Sequence, residues 1–368
     1  MKNKIWLSPP HLAGTELSYI EQALEQNWIT TTGPQVQQFE EGLCQLSGAS
    51  NVLATSSGTA AIHLALLSIG VQPGDYVLCP SFTFAATAFP VLYCGAIPVF
   101  IDSDQNTWNM DPYLLQEAIE KLIKQKKKPV AIITVDIYGN PADYASICAL
   151  ADYYNIPVIE DAAQAFGSRY EDKMCGTIGD LGVYSFNGNK IITTGGGGAL
   201  LTNLPEAHKQ AFLLANQSNI GAHYYLHPQS GYNYRMSNIL AALGIAQTNV
   251  LSERVRQKKK IFEAYSVMIQ RDTVTQQELP NASSNRWLSC FLLKDQSERD
   301  RIFYLLSSSG IDCRFLMNPL HRQAAFSGSP SYLNGTSDDL FSRGLCLPSG
   351  TALTDEDICY IISLINSV

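Results

Sequence analysis

The chain has 368 residues, with 25 Lys and Arg against 33 Asp and Glu, a net charge of −8 with His neutral. Apolar residues make up 46% and aromatics 10%, enough for a large packed core, which excludes wholesale disorder. An acidic chain is a poor non-specific binder of nucleic acid, so any polyanion it holds must be met by local cations or backbone N–H groups.

Apolar residues three or four apart predict helices over residues 15–26, 34–46 and 59–69. The uncharged stretch Tyr76–Ile101 is long enough to test as a membrane span, but Pro80, Pro90, Gly95 and Pro98 interrupt it. It reads instead as strand, loop, helix and strand, with apolar runs at Val77–Cys79 and Pro98–Ile101. Further strand-like runs are Val130–Val135, Val158–Ile159 and Val183–Phe186, with helices predicted over 112–125 and 143–155. Apolar strands separated by amphipathic helices imply a mainly parallel sheet covered on both faces, an α/β fold. The order breaks near Gly195–Gly198 and again after Pro228. From Asn249 the pattern changes to a long basic helix (252–270), a strand (287–293), a helix (297–308) and a last helix (355–365). We therefore expect a large domain over 1–248 and a smaller α/β domain over 249–368.

Residues 1–14 carry only the short apolar run Ile5–Leu7, too little for a signal peptide, so a cytoplasmic, membrane-free protein is expected. Nine scattered Cys without a CxxC pair read as reduced and mostly core, and six His without ligand spacing predict no metal.

In open α/β sheets ligands bind beyond the carboxyl ends of the strands, so the residues after each apolar run carry the information. Ser56-Ser57-Gly58-Thr59 precedes a helix. It is either an ordinary capped start or an anion site, where glycine lets a ligand approach the free helix N–H groups. Glu160-Asp161 ends a buried strand, and alternation sends one carboxylate into structure and the other into the cleft. That Asp is a candidate base, metal ligand, holder of a protonated ring nitrogen, or helix cap. Lys190 lies between an apolar strand and Gly195–Gly198, with no acid within nine residues on either side. It is either a solvated loop lysine or a nucleophilic amine, whose pKa desolvation would lower for Schiff-base formation. A phosphate site, an acid and a lone lysine in that order are what pyridoxal phosphate needs.

With these residues in place, the chain resembles the sugar aminotransferases of the DegT/DnrJ/EryC1/StrS family, type I fold pyridoxal-phosphate enzymes. The resemblance is carried by TSSGTAAIHLAL (55–66), PSFTFAATA (80–88), GAIPVFID (95–102), IYGNPAD (137–143), IEDAAQAFGSRY (159–170), GDLGVYSFNGNKIITTGGGGAL (179–200), GYNYRMSNILAALGIAQ (231–247) and LPSG (347–350). Within the family, LSPPH (7–11), SFNGNKIITT, SNRWLS (284–289) and CLPSGT resemble enzymes that aminate C4 of UDP-4-keto-6-deoxy-N-acetylglucosamine for bacillosamine-type glycans and extracellular polysaccharides.

The resemblance implies pyridoxal 5′-phosphate as cofactor, Lys190 as its Schiff-base lysine, Asp161 as the pyridinium partner and Gln164 beside the ring hydroxyl. It implies that Phe84 stacks on the ring, and that Gly58, Thr59 and Ser185 contact the phosphate. Asn233 matches a residue that reaches the phosphate from the other subunit of a homodimer. Ile29, Thr30, Thr31, Arg314 and His321 match sugar-nucleotide contacts, with an amino acid, glutamate in the family, as donor. The chain departs from its relatives at Arg314–His321, where an aromatic ring of the usual RPLW is lost, and mildly at Gly195–Ala199. A dehydratase of the same fold carries His at the lysine position, so Lys190 argues against one. The intact Lys190, Asp161 and Gln164 argue against a catalytically silent relative.

Overall fold

Short apolar strands alternating with helices form an eight-stranded sheet in the computed structural model, which describes residues 4–221 and 223–368. From edge to edge the strands are Asn51–Thr55, Gly198–Thr202, Leu181–Ser185, Val158–Asp161, Ala131–Val135, Tyr76–Pro80, Ile97–Ile101 and Ser331–Tyr332. Every pairing from Leu181–Ser185 onward is parallel, whereas Gly198–Thr202 runs antiparallel to both its neighbours. The sheet is thus mainly parallel, as the alternation predicts.

Side chains of one strand divide between the two faces. Val77 and Cys79 join one core cluster with the helix Gly58–Ser68, while Leu78 joins another with the helix Pro112–Lys124. The second helix shows why such sequences fold as they do. Asp111 caps it by accepting from Tyr113 N and Leu114 N, Pro112 opens it, and Leu115, Ala118, Ile119 and Leu122 form its buried stripe. Each such residue, fully buried, contributes about 1.5–3 kcal/mol.

The predicted strand–loop–helix–strand over 76–101 is observed as Tyr76–Pro80, a 3₁₀ turn Ala85–Thr87, a helix Phe89–Tyr93 and Ile97–Ile101. Among the elements that escape the sequence reading are the strands Asn51–Thr55, Gly198–Thr202 and Gly344–Leu347 and the helices Thr336–Arg343, Pro205–Ala215 and Asn238–Thr248. The last of these is buried nearly all round and so carries no amphipathic stripe.

A second, antiparallel sheet of Val274–Thr275, Ser289–Leu292, Gly344–Leu347 and Arg314–Phe315 packs with the helices Leu251–Met268, Gln296–Ser308 and Asp355–Ser367. The chain ends are stitched across these layers. Ser331–Tyr332 closes the edge of the large sheet, and Ile5 bridges Ile311. Asp102, fully buried beyond the strand Ile97–Ile101, accepts N–H groups from Asn334, Gly335 and Ser337, fixing the start of the helix Thr336–Arg343. Among the described residues no helix is long and apolar enough to cross a membrane.

Candidate active site

The carboxyl ends of the strands open onto a cleft of about 940 Å³, lined on its sheet side by Gly58, Thr59, Asp161, Gln164, Ser185 and Lys190. At one end the helix Gly58–Ser68 begins. Ser57 caps it by accepting from Ala60 N at 3.0 Å, and the first N–H groups, at Gly58 and Thr59, are those that an α-helix leaves without an intrahelical acceptor. The strand Gly198–Thr202 passes so close that a Cβ at Gly198 would lie 2.4 Å from Gly58 N and from the Ser57 carbonyl carbon. Only glycine allows that approach, so Gly198 is what lets the strand lie directly against the helix start. With Ser185 on the adjoining strand end, this is a cradle of N–H and O–H donors for an anion.

Strand alternation separates the two carboxylates as predicted. Glu160 points into the protein, where it accepts from the backbone N–H groups of Gly176, Ile178 and Gly179. Asp161, 6% exposed, points into the cleft. Its Oδ2 accepts from Thr87 Oγ1 at 2.7 Å and its Oδ1 from Ala163 N at 3.2 Å. Burial pushes its carboxyl above the usual range, and the Thr87 hydroxyl, the Lys190 ammonium and the Ala163 N–H oppose that shift.

Lys190 is half-buried, with Nζ 4.5 Å from the centroid of the Trp287 ring. Burial pushes its ammonium down to about 8, against the pull of the Asp161 carboxylate. An amine with this pKa is available as a nucleophile or base near neutral pH, which a solvated lysine is not. Gln164 accepts from Tyr138 N at 2.6 Å through Oε1, which leaves its amide N–H groups for the cleft. Phe84, 61% exposed, offers a bare aromatic face on the cleft wall.

The remaining predicted residues are placed differently. Arg314 lies at the cleft rim, its side chain 70% exposed and its Nε 3.5 Å from Asp312 Oδ1. His321 lies outside the cleft lining, with Nδ1 2.7 Å from Ser81 Oγ and Nε2 3.5 Å from Asp338 Oδ2. Ile29, Thr30, Thr31 and Asn233 also lie outside the cleft of their own chain. Asn233 is exposed between Tyr232 and Tyr234, whose stacked rings pack on His63 of the helix Gly58–Ser68.

Sequence reasoning missed Thr87, Tyr138 and Trp287. Tyr138 has φ of 56° inside the buried Ile137–Gly139 turn, and its hydroxyl accepts from Met317 N at 2.9 Å. A left-handed, buried tyrosine is a strained position that surrounding contacts must enforce.

The residues present fit pyridoxal phosphate. An anion cradle crowded so that a Cβ would fill it, a buried acid, an exposed aromatic face and a depressed lysine converge on one cleft. Those features define a pyridoxal-phosphate enzyme of the aminotransferase fold. Residues 10–366 match the DegT/DnrJ/EryC1/StrS aminotransferase family, and the chain belongs to it. It is 45% identical, over 99% of its length and 96% of the relative's, to a Bacillus subtilis protein named as a pyridoxal phosphate-dependent aminotransferase, EpsN. It is 36% identical to the GDP-perosamine synthase of Escherichia coli O157:H7, over 97% of this chain and 96% of that one. A solved DegT DnrJ EryC1 StrS aminotransferase from Brucella abortus superposes with a TM-score of 0.90 at 31% identity, over 96% of this chain and 94% of the other. The protein is a sugar aminotransferase that uses pyridoxal phosphate.

Proposed function

We propose that the enzyme transfers an amino group from glutamate to C4 of a UDP-4-keto-6-deoxy-N-acetyl-hexosamine, in bacterial glycan or polysaccharide biosynthesis. It works in the cytoplasm as a homodimer with shared active sites, with residues 1–248 as the cofactor-binding domain and 249–368 as the smaller domain. The observation that carries the reading is the Lys190–Asp161 pair: an amine depressed to about 8 and a buried acid facing one cleft.

When bound, the cofactor supplies an electron-withdrawing ring that makes the donor's α-proton acidic. Asp161 would hold the ring nitrogen in its protonated form. Phe84 would cover a ring face, Gln164 would donate to the ring hydroxyl, and Gly58, Thr59 and Ser185 would hold the phosphate. Lys190 Nζ, neutral in about half the molecules near pH 8, would take up the proton from the donor α-carbon and hold it for return. The same amine moves the proton back in the half-reaction with the sugar ketone. Arg314 at the rim supplies the cation for a diphosphate, a role supported by its exposed guanidinium, which is held only loosely by Asp312 at 3.5 Å. Asn233, exposed on a segment beside the cradle, is available to a second subunit.

The subfamily motifs LSPPH and SNRWLS support the UDP-linked, C4-aminated product, and both line or brace the cleft through Leu7, Ser8 and Trp287. Incubation of the holoenzyme with glutamate and the UDP-4-keto sugar, followed by NMR, locates the new nitrogen. Nitrogen at C3 overturns the reading, as does turnover confined to dTDP- or GDP-linked sugars. The GDP outcome would align the chain with its perosamine synthase relative instead.

A further inference from the structure

We infer that Lys258 is a positioning residue for the Lys190 amine, closing a ring of hydrogen bonds beneath the loop that carries Lys190. Lys258 sits in the buried stripe of the helix Leu251–Met268, with Leu251, Arg254, Ile261 and Tyr265, and is 2% exposed. Its neighbours Lys259 and Lys260 reach outward to Ser283 Oγ and Asp355 Oδ1. Lys258 has no carboxylate partner among the described residues. Its three donors go instead to Trp287 O at 2.9 Å, Ser349 O at 2.8 Å and Ser8 Oγ at 3.3 Å.

Those acceptors belong to three separate segments. Two of them converge again on a single atom. Ser8 Oγ donates to Asn189 O at 3.2 Å, and Trp287 Nε1 donates to the same oxygen at 2.7 Å. Lys258, Ser8, Asn189 and Trp287 therefore form a closed circuit, and Asn189 is the residue before Lys190. The Trp287 ring that this circuit fixes is the one beneath Lys190 Nζ. The third bond, to Ser349, secures the 347–350 turn, whose Ser349 N donates to Leu7 O at 2.6 Å and so holds the N-terminal segment along the cleft. A buried ammonium with every donor used is a rigid junction, whereas one with donors unmet would be strongly destabilising.

The consequence for the amine is specific. Burial is what depresses Lys190, and the circuit is what fixes Trp287 and the Asn189 carbonyl beside it. Loosening it admits solvent and returns the amine toward an ordinary lysine. A lysine that merely fills space would leave that property unchanged.

The inference rests on Lys190 being the reactive amine, which borohydride reduction of the holoenzyme and peptide mapping check separately. The decisive measurement uses the apoenzyme: competitive acetylation with acetic anhydride across pH, with Lys190 labelling read by peptide mass spectrometry. Lys258→Met keeps length and loses the donors. Its Lys190 midpoint is expected to rise by about one pH unit, so that about ten-fold less neutral amine is present at neutral pH. Lys259→Met, one residue along the same helix, is expected to leave the midpoint where it is. Because Lys258→Met removes a buried junction, Ser8→Ala serves as the milder cut. It breaks the circuit at a half-buried position, and amide hydrogen exchange over 187–191 is expected to quicken by at least about two-fold. A folded Lys258→Met with an unmoved midpoint overturns the role. So does unchanged exchange in Ser8→Ala if the first variant does not fold. Borohydride labelling of a lysine other than Lys190 overturns the catalytic assignment as well, whereas labelling of Lys190 with unmoved midpoints overturns only the role of Lys258.

Discussion

Thr87 is the residue through which the cleft keeps Asp161 usable, and Thr87→Val isolates its hydroxyl. That hydroxyl donates to Asp161 Oδ2 at 2.7 Å, while the other contact, from Ala163 N, is longer at 3.2 Å. Hydrogen bonds to a charged group contribute about 1.5–3 kcal/mol each, and with the Ala163 bond retained we take the lower end, roughly a ten-fold effect. The sign follows from the forces on the carboxyl. Burial raises its pKa and the Thr87 hydroxyl opposes that rise, so removing the hydroxyl raises the pKa further. The charged carboxylate is the form that holds a protonated ring nitrogen. The acid limb of the amino-donor half-reaction should therefore move to higher pH by about one unit in Thr87→Val. Cofactor affinity, followed by absorbance titration of the apoenzyme, should fall about ten-fold, and Thr87→Ser should stay near wild type. A Val variant with wild-type cofactor affinity and an unmoved acid limb would refute the argument.

Lys190→Ala should abolish both half-reactions while leaving the melting temperature close to wild type, because the side chain is only half-buried; residual turnover in a stopped assay would contradict this. In the wild-type apoenzyme the Lys190 amine should titrate near 8, against 10.5 for an ordinary lysine, in the same competitive labelling used for Lys258. Gly198→Ala should cost about 2 kcal/mol or more, because its Cβ meets backbone rather than a yielding side chain. Calorimetry should show the lower melting temperature, and equilibrium dialysis the loss of cofactor; full binding in a folded variant would show that the cradle tolerates movement. Mixing Lys190→Ala with Asn233→Asp and allowing subunits to exchange should restore about a quarter of wild-type activity, since half the dimers are mixed and each then has one intact site. No recovery despite exchange measured by mass spectrometry would place Asn233 in its own chain's chemistry or outside the site.

Much of this architecture is legible in the sequence wherever an element has two unlike faces. The helix Pro112–Lys124 announces itself by a capping Asp, a first-turn Pro and a clean stripe. The helix Asn238–Thr248 does not, because burial on nearly every side leaves no polar face for contrast. The strand Gly198–Thr202 is hidden for another reason: its glycine-rich approach is selected by close contact with Ser57 and Gly58, so the segment reads as a loop. The site divides in the same way. Lys190 and Asp161 stand out because a lone amine among apolar residues and an acid at a strand end are chemically unusual where they occur. Thr87, Tyr138 and Trp287 are ordinary residue types, and each gains its place from contacts with segments distant in the chain. Lys258 is the extreme case, since one of three consecutive lysines turns inward and nothing in the run itself marks which.

The edge of the large sheet has a consequence for how the protein is made. Ile97–Ile101 is apolar along its length and receives its last partner, Ser331–Tyr332, only from the C-terminal part of the chain. Phe100 N and Asp102 N find their acceptors on Pro330 and Tyr332, and the Asp102 carboxylate waits for the N–H groups of Asn334, Gly335 and Ser337. During ribosomal synthesis that edge therefore stays open until Ser331–Tyr332 has emerged, as a bare strand able to pair with another nascent chain. A product cut short before Ser331 presents both a naked apolar edge and an unneutralised buried acid, the features by which chaperones and proteases sort failed chains from finished ones.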